Sequence, residues 1–238
     1  LADEPTGNLD KNNSELILDL FVKLMTMSKD TNVQYGCGFS APENWINYDS
    51  SPTLRFEKTP FIGKLYTRKS AHKKGRFPDN VLFGDIIKGL PHSPNTVDYM
   101  YCSHVLEHLS YIDCLKALDN THRLLKKGGI FRFVLPDFRG VVDTYINDTS
   151  PEAAHHFMKS SFLGKEKRSF GIKSFILEWL GNSQHLWLWD EKSMHQALKK
   201  QGFTDIRRST FNDSEHAIFQ SVEEQERWDG NLGFECIK

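Results

Sequence analysis

The chain has 238 residues, enough for one good core or one core with a small appendage. Its 30 Lys+Arg balance 31 Asp+Glu, which leaves no nucleic-acid footprint, and the local run Lys69, His72, Lys73, Lys74, Arg76 reads as a solvated loop. No stretch nears the roughly 20 apolar residues of a membrane span, no secretory pattern opens the sequence, and Cys37, Cys102, Cys114 and Cys236 lack CxxC spacing, so free thiols in a cytoplasmic setting are expected.

The opening segment, Leu1-Ala2-Asp3-Glu4-Pro5-Thr6-Gly7-Asn8-Leu9-Asp10, resembles the Walker B and D-loop stretch of an ABC transporter ATPase. The resemblance implies Asp3 as a magnesium ligand and Glu4 as the residue that positions water. It stops at residue 26, and the sequence holds no G-x-x-x-x-G-K-[ST] loop to cradle phosphate, so ATP hydrolysis is not expected. Leu16, Ile17, Leu20, Phe21 and Leu24 are spaced for one amphipathic helix. We read residues 1–26 as a fused or misassembled remnant, a helical tag ahead of a domain at 27–238.

Residues 31–35 and 45–49 predict the first two strands. Between them lie Gly36-Cys37-Gly38 and a Pro42-containing segment too short for a crossover helix. Ala41 stands where G-x-G-x-x-G has its third glycine. Residues 53–78 are interrupted by Pro60 and Pro78 and predict a short helix and a loop near a pocket mouth. The third strand is 81–83, followed by Gly84-Asp85; the fourth is 96–102, after turn chemistry at 89–95. Ile112, Leu115, Leu118, Leu124 and Leu125 predict a helix over 111–126, ended by Lys126, Lys127 and Gly128. A fifth strand at 130–135 and a helix at 138–147 come next. Residues 151–189 are an aromatic, histidine-rich insertion, read as a helical lid. A helix over 191–201 stops at Gly202, and 206–210 and 232–237 complete the strands. This alternation predicts an α/β fold: a Rossmann-like, mostly parallel seven-stranded sheet flanked by helices, with a helical insertion before the last two strands.

Ligands of such sheets bind past the carboxyl ends of the strands, at the switch point. Gly36 to Phe39, Asp49, Asp85, Ser103-His104 and Asp137 all fall at strand ends. For a single strand-end Asp the ordinary reading is a turn or cap residue; five strand ends converging argue for a shared pocket.

Gly36-Cys37-Gly38 with Trp45-Ile46-Asn47-Tyr48-Asp49 carries a resemblance to S-adenosylmethionine-dependent, class I (Rossmann-like) methyltransferases of the type 11 kind. Ser103-His104-Val105-Leu106-Glu107-His108-Leu109, Leu125 to Gly129, Val134-Leu135-Pro136-Asp137, His185 with Trp187, Trp189 and Asp190, and Gly202-Phe203 extend it over residues 31–238. Tyr35 before the glycines and Glu43-Asn44 before Trp45 depart from the subgroup's usual residues. The resemblance implies S-adenosylmethionine as cofactor. Gly36, Cys37 and Gly38 would lie against its methionine portion, and Asp49 would accept from the ribose hydroxyls. Asp85 would accept from the adenine amine with Ile86 packed on the ring, and Ser103 and His104 would line the floor near the sulfonium.

Methyl transfer to a hydroxyl needs positioning and a base, and His104, His185 and Asp137 are the candidates, His104 first. A histidine in an aromatic segment is more often packed than catalytic. His104-Val105-Leu106-Glu107-His108 also fits H-x-x-E-H, a zinc pattern, but it follows a strand directly; Glu107 and His108 are read as orienting the loop, and no metal is expected. His155-His156 point to different helix faces. The apolar stripe Phe170, Phe175, Ile176, Trp179, Leu180 reads as an acceptor lid, core packing or a homodimer face, and less readily as a membrane-surface contact. The expected function is methyl transfer to a small acceptor, with a sugar or glycan-precursor hydroxyl suggested by the subgroup's association with cell-surface glycans. A non-catalytic cofactor- or partner-binding relative is the alternative.

Overall fold

Asn32–Tyr35 is buried along its whole length, the mark of a central strand covered on both faces. In the computed structural model, which describes residues 30–59, 76–166 and 184–238, it is β1 of a seven-stranded sheet. The expected helix within 1–26, the basic residues 69–74 and the stripe Phe170–Leu180 lie outside the described residues. The other strands are β2 (Ile46–Asp49), β3 (Val81–Phe83), β4 (Val97–Ser103), β5 (Leu125–Pro136), β6 (Thr204–Ser209) and β7 (Asn231–Ile237). Their order is β3-β2-β1-β4-β5-β7-β6. Every pair from β3 to β5 is parallel, and β7 runs antiparallel to both β5 and β6. The mostly parallel sheet expected from the sequence is therefore what forms. Its direction of winding reverses between β1 and β4, which puts the switch point at their carboxyl ends.

Side chains alternate across the strands. Val33, Tyr35, Met100, Cys102, Phe131 and Phe133 face one core with Cys114, Ala117 and Leu118 of helix α2 (Tyr111–Leu124) and Met194 and Leu198 of α5 (Glu191–Lys200). Tyr101, Ile130 and Val134 face a second core with Trp45, Phe219 and Trp228. Helix α2 starts where Ser110 Oγ accepts from the Asp113 amide at 3.3 Å, a standard N-cap. The remaining α-helices among the described residues are α1 (Pro52–Glu57), α3 (Phe138–Asn147), α4 (Ala153–Ser160) and α6 (Gln225–Trp228). Among the described residues no helix is long and apolar enough to cross a membrane.

The short β1–β2 connection is held by amides rather than a helix. Asn32 Nδ2 donates to the Asn44 carbonyl at 2.8 Å and Gln34 Nε2 to the Ser40 carbonyl at 2.8 Å. Asn47 Nδ2 donates to the carbonyls of Pro42 and Trp45 at 3.1 and 3.0 Å. Backbone acceptors of a compact loop need partners, and here three buried side chains supply them in place of helical bonds.

One boundary moves. The helix expected to run to residue 126 ends at Leu124, and β5 begins at once, five residues ahead of the expected strand start at 130. Leu125 is fully buried and pairs with Val97, and Lys126 Nζ reaches both Asp98 oxygens at 2.7 Å. Gly128, at φ +79°, lies where the strand begins irregularly, instead of ending a helix. Arg132, midway along β5, is fully buried among Glu223, Asp213 and Glu235, with its guanidinium 4.5 Å from the Trp228 ring centroid. This cluster ties residues 211–228 to the sheet.

Candidate active site

Gly36 and Gly38 both take left-handed φ, +65° and +57°. A Cβ on Gly36 would lie 2.2 Å from Val105 Cγ2, so only glycine lets this turn close on the loop after β4. A Cβ on Gly38 would meet nothing within 4 Å; this turn has open space beside its backbone. The Gly38 amide donates to Asp49 Oδ2 at 3.0 Å, and the Ser51 amide to Oδ1 at 2.7 Å. Asp49 is nearly buried, yet each oxygen keeps a lone pair beyond these bonds. An open glycine turn braced to an acceptor-only carboxylate fits the methionine and ribose portions of S-adenosylmethionine.

The other expected cofactor residues follow the same edge. Asp85 Oδ1 accepts from the Ile87 amide at 3.0 Å and Oδ2 pairs with Lys88 at 3.2 Å. Ile86 is buried within the main core and Ser103 is buried at the end of β4. Cys37 sits in a small cluster with Leu54, Phe77 and Val81. Burial, with Asp49 nearby, pushes its thiol up to about 12, so it packs and is no nucleophile.

Past the ends of β4 and β5 opens a cavity of about 690 Å³. Its walls bring together all three expected catalytic candidates, His104, Asp137 and His185, with Glu107, His108 and Asn231. The chain segment carrying His185 is fastened to the loop after β4. The amides of Leu186 and Trp187 donate to the Glu107 carbonyl at 2.8 and 3.2 Å, and His108 Nδ1 lies 3.0 Å from the Gln184 carbonyl.

The three candidates differ in what they have free. His104, at φ +53°, has Nε2 2.9 Å from the Arg227 carbonyl and Nδ1 3.1 Å from Glu107 Oε1. Burial lowers its pKa, but the Glu107 carboxylate and the Arg227 carbonyl outweigh that and raise it overall. With both ring nitrogens engaged His104 has none free to take a proton, so here it orients Glu107. Asp137 caps α3, accepting from the Arg139 amide at 3.0 Å, and pairs with Arg208 at 3.4 Å. Only His185 has a free nitrogen: Nδ1 is buried with no partner. Burial, foremost, lowers the pKa of His185 and favours the neutral ring, which lies 4.9 Å from His108 and 5.0 Å from Phe162 between centroids. Glu107 was read from sequence as a loop-orienting residue; its side chain is fully buried and its Oε2 has no partner. The signal for its prominence was an acid inside an otherwise apolar Val-Leu-x-His-Leu run.

A family model described as a methyltransferase domain matches residues 30–208. The probable methyltransferase ltbC of Aspergillus luteorubrus is 41% identical over 56 residues, covering 22% of this chain and 20% of that relative's own length. Among solved structures, a SAM-dependent methyltransferase of Thermotoga maritima is similar over 94% of this chain and 97% of its own, with 15% identity and a TM-score of 0.48. Another, from Archaeoglobus fulgidus, matches over 94% of each chain with 14% identity and a TM-score of 0.45.

Proposed function

The chain belongs to the methyltransferase-domain family, and from that premise we propose that it transfers a methyl group from S-adenosylmethionine to a hydroxyl of a small acceptor, such as a sugar or glycan precursor, held in the cavity past β4 and β5. The observation that carries this reading is a shared loop. Val105 packs on Gly36 of the cofactor turn while its neighbours His104 and Glu107 line the cavity. S-adenosylmethionine, held by Asp49 and the Gly36–Gly38 turn, would supply a methyl already activated on a sulfonium.

The protein's share is placement and proton handling. Asp49 and the glycine turn fix the cofactor. The imidazoles of His108 and His185 and the Glu107 carboxylate form the polar end of the cavity, where the acceptor hydroxyl passes its proton to the unpartnered His185 Nδ1. Asp137 and His104 hold the flanking α3 and the loop after β4 in place.

The test is calorimetric titration with S-adenosylhomocysteine of wild type and Asp49→Asn. Micromolar binding, weakened at least tenfold by the substitution (about 1.4 kcal/mol), is expected. A folded wild type that ignores the ligand at millimolar concentration would refute the reading.

A further inference from the structure

We propose that Glu107, His108 and His185 bind one divalent transition-metal ion at the buried end of the cavity. One ligand atom from each of these residues lies within 4.8 Å of the other two. Bonds of about 2.0–2.1 Å to a tetrahedral ion would set such atoms roughly 3.3 Å apart, so side-chain rotations on the order of 1 Å close the set.

Two buried atoms point to a ligand independently of that spacing. Glu107 is fully buried and His185 is 8% exposed. Glu107 Oε2 and His185 Nδ1 have no hydrogen-bond partner. Leaving a buried polar atom without a partner is costly, and a cation coordinated by both residues would satisfy them.

The surrounding bonds prepare the donors. The His108 Nδ1–H donates a hydrogen bond to the Gln184 carbonyl at 3.0 Å, which leaves Nε2, 4.0 Å from Glu107 Oε1, as the nitrogen available to a ligand. His104 Nδ1 holds Glu107 Oε1 at 3.1 Å. Histidine ligands whose other nitrogen donates to a carbonyl, and carboxylate ligands that are themselves hydrogen-bonded, are the usual outer shell of a metal.

Two imidazoles and one carboxylate favour zinc, iron or manganese over the all-oxygen preference of magnesium. Three protein ligands leave a position open toward the cavity, the arrangement of catalytic rather than structural sites. Resting on the methyl-transfer reading, the ion takes over from His185 Nδ1, which is then a ligand and not the proton acceptor: it lowers the pKa of the acceptor hydroxyl, whose proton leaves to water in the cavity, and holds the oxygen in place. The sequence alone argued against a metal because H-x-x-E-H follows a strand. The structure pairs only its last two residues, Glu107 and His108, with distant His185, and leaves His104 in support.

The experiment titrates chelator-stripped full-length protein with Zn²⁺, then with Mg²⁺, by calorimetry, and separately with S-adenosylhomocysteine. We expect one equivalent of Zn²⁺, with Mg²⁺ at least tenfold weaker. Glu107→Gln and His185→Ala each weaken Zn²⁺ at least tenfold, and His155→Ala/His156→Ala, which removes the exposed pair, changes nothing. Where Glu107→Gln does not fold, His185→Ala and His108→Ala decide. Absence of a one-equivalent site in folded wild type, or a site lost only with His155 and His156, overturns the proposal. S-adenosylhomocysteine binding without zinc binding would sink this inference alone; zinc binding without S-adenosylhomocysteine binding would sink the methyl-transfer reading alone.

Discussion

Gly36→Ala tests the joint between cofactor turn and cavity loop. Two costs add. Left-handed backbone at an alanine costs about 1–2 kcal/mol. The new Cβ would stand 2.2 Å from Val105 Cγ2, far inside the roughly 3.5–4.0 Å of ordinary carbon contact, and forcing extra atoms into a packed site costs about 1–3 kcal/mol. The expected loss is therefore about 2–5 kcal/mol in urea unfolding. Val105→Ala deletes the offending methyl, so the double variant should be more stable than the sum of the singles by about 1–3 kcal/mol, the clash alone, while the backbone strain persists. S-adenosylhomocysteine affinity should fall at least tenfold in Gly36→Ala and partly recover in the double variant. A Gly36→Ala protein within about 0.5 kcal/mol of wild type, or strict additivity with Val105→Ala, would refute the packing argument.

Arg132→Met leaves Glu223 buried without its main cation, at a cost of about 3–5 kcal/mol; adding Glu223→Gln should restore most of that, and a double variant no better than the single in urea unfolding would count against it. Asp213 gives a pH dependence. Burial would raise its carboxyl, but hydrogen bonds from Arg207, the Thr210 amide and Arg132 hold it at about 2 against an ordinary 3.8. A depressed carboxyl stabilises the fold fully above its unfolded value and loses that stabilisation as pH falls through the folded one. Stability should thus decline from pH 4 to pH 2, and Asp213→Asn should flatten that slope; an unchanged slope in thermal melts would disprove the assignment.

The strands β1 and β2 could be placed from sequence because each is a short apolar-polar alternation, Val33 with Tyr35 and Ile46 with Tyr48, flanking a glycine turn; α2 could be placed because Leu115, Leu118 and Leu124 keep helical spacing, although Ile112 of that series is exposed and Cys114 and Ala117 fill the buried face. The start of β5 could not. Lys126-Lys127-Gly128 is a helix-stop signal and equally the chemistry of a strand irregularity, and the choice is made by Val97 and Asp98 across the sheet. Likewise the sequence shows that the first connection is too short for a crossover helix, but not that the side-chain amides of Asn32, Gln34 and Asn47 hold it.

Sequence by itself determined the order of elements, the parallel sheet, the glycine turn with Asp49, and the candidate residues at the strand ends. These depend on local periodicity and on backbone rules that act within a few residues. Tertiary structure alone decided which candidates have work left to do. It engaged both nitrogens of His104, used Asp137 as a cap, and brought His185 to Glu107 and His108 through a contact that spans 76 positions between His108 and Gln184. Arg132 shows the same division: an arginine between Phe131 and Phe133 makes sense only once Asp213, Glu223 and Glu235 arrive from the far end of the chain. Partners so distant in sequence leave no local period to read, because their meeting is fixed by how the sheet closes, not by spacing along the chain.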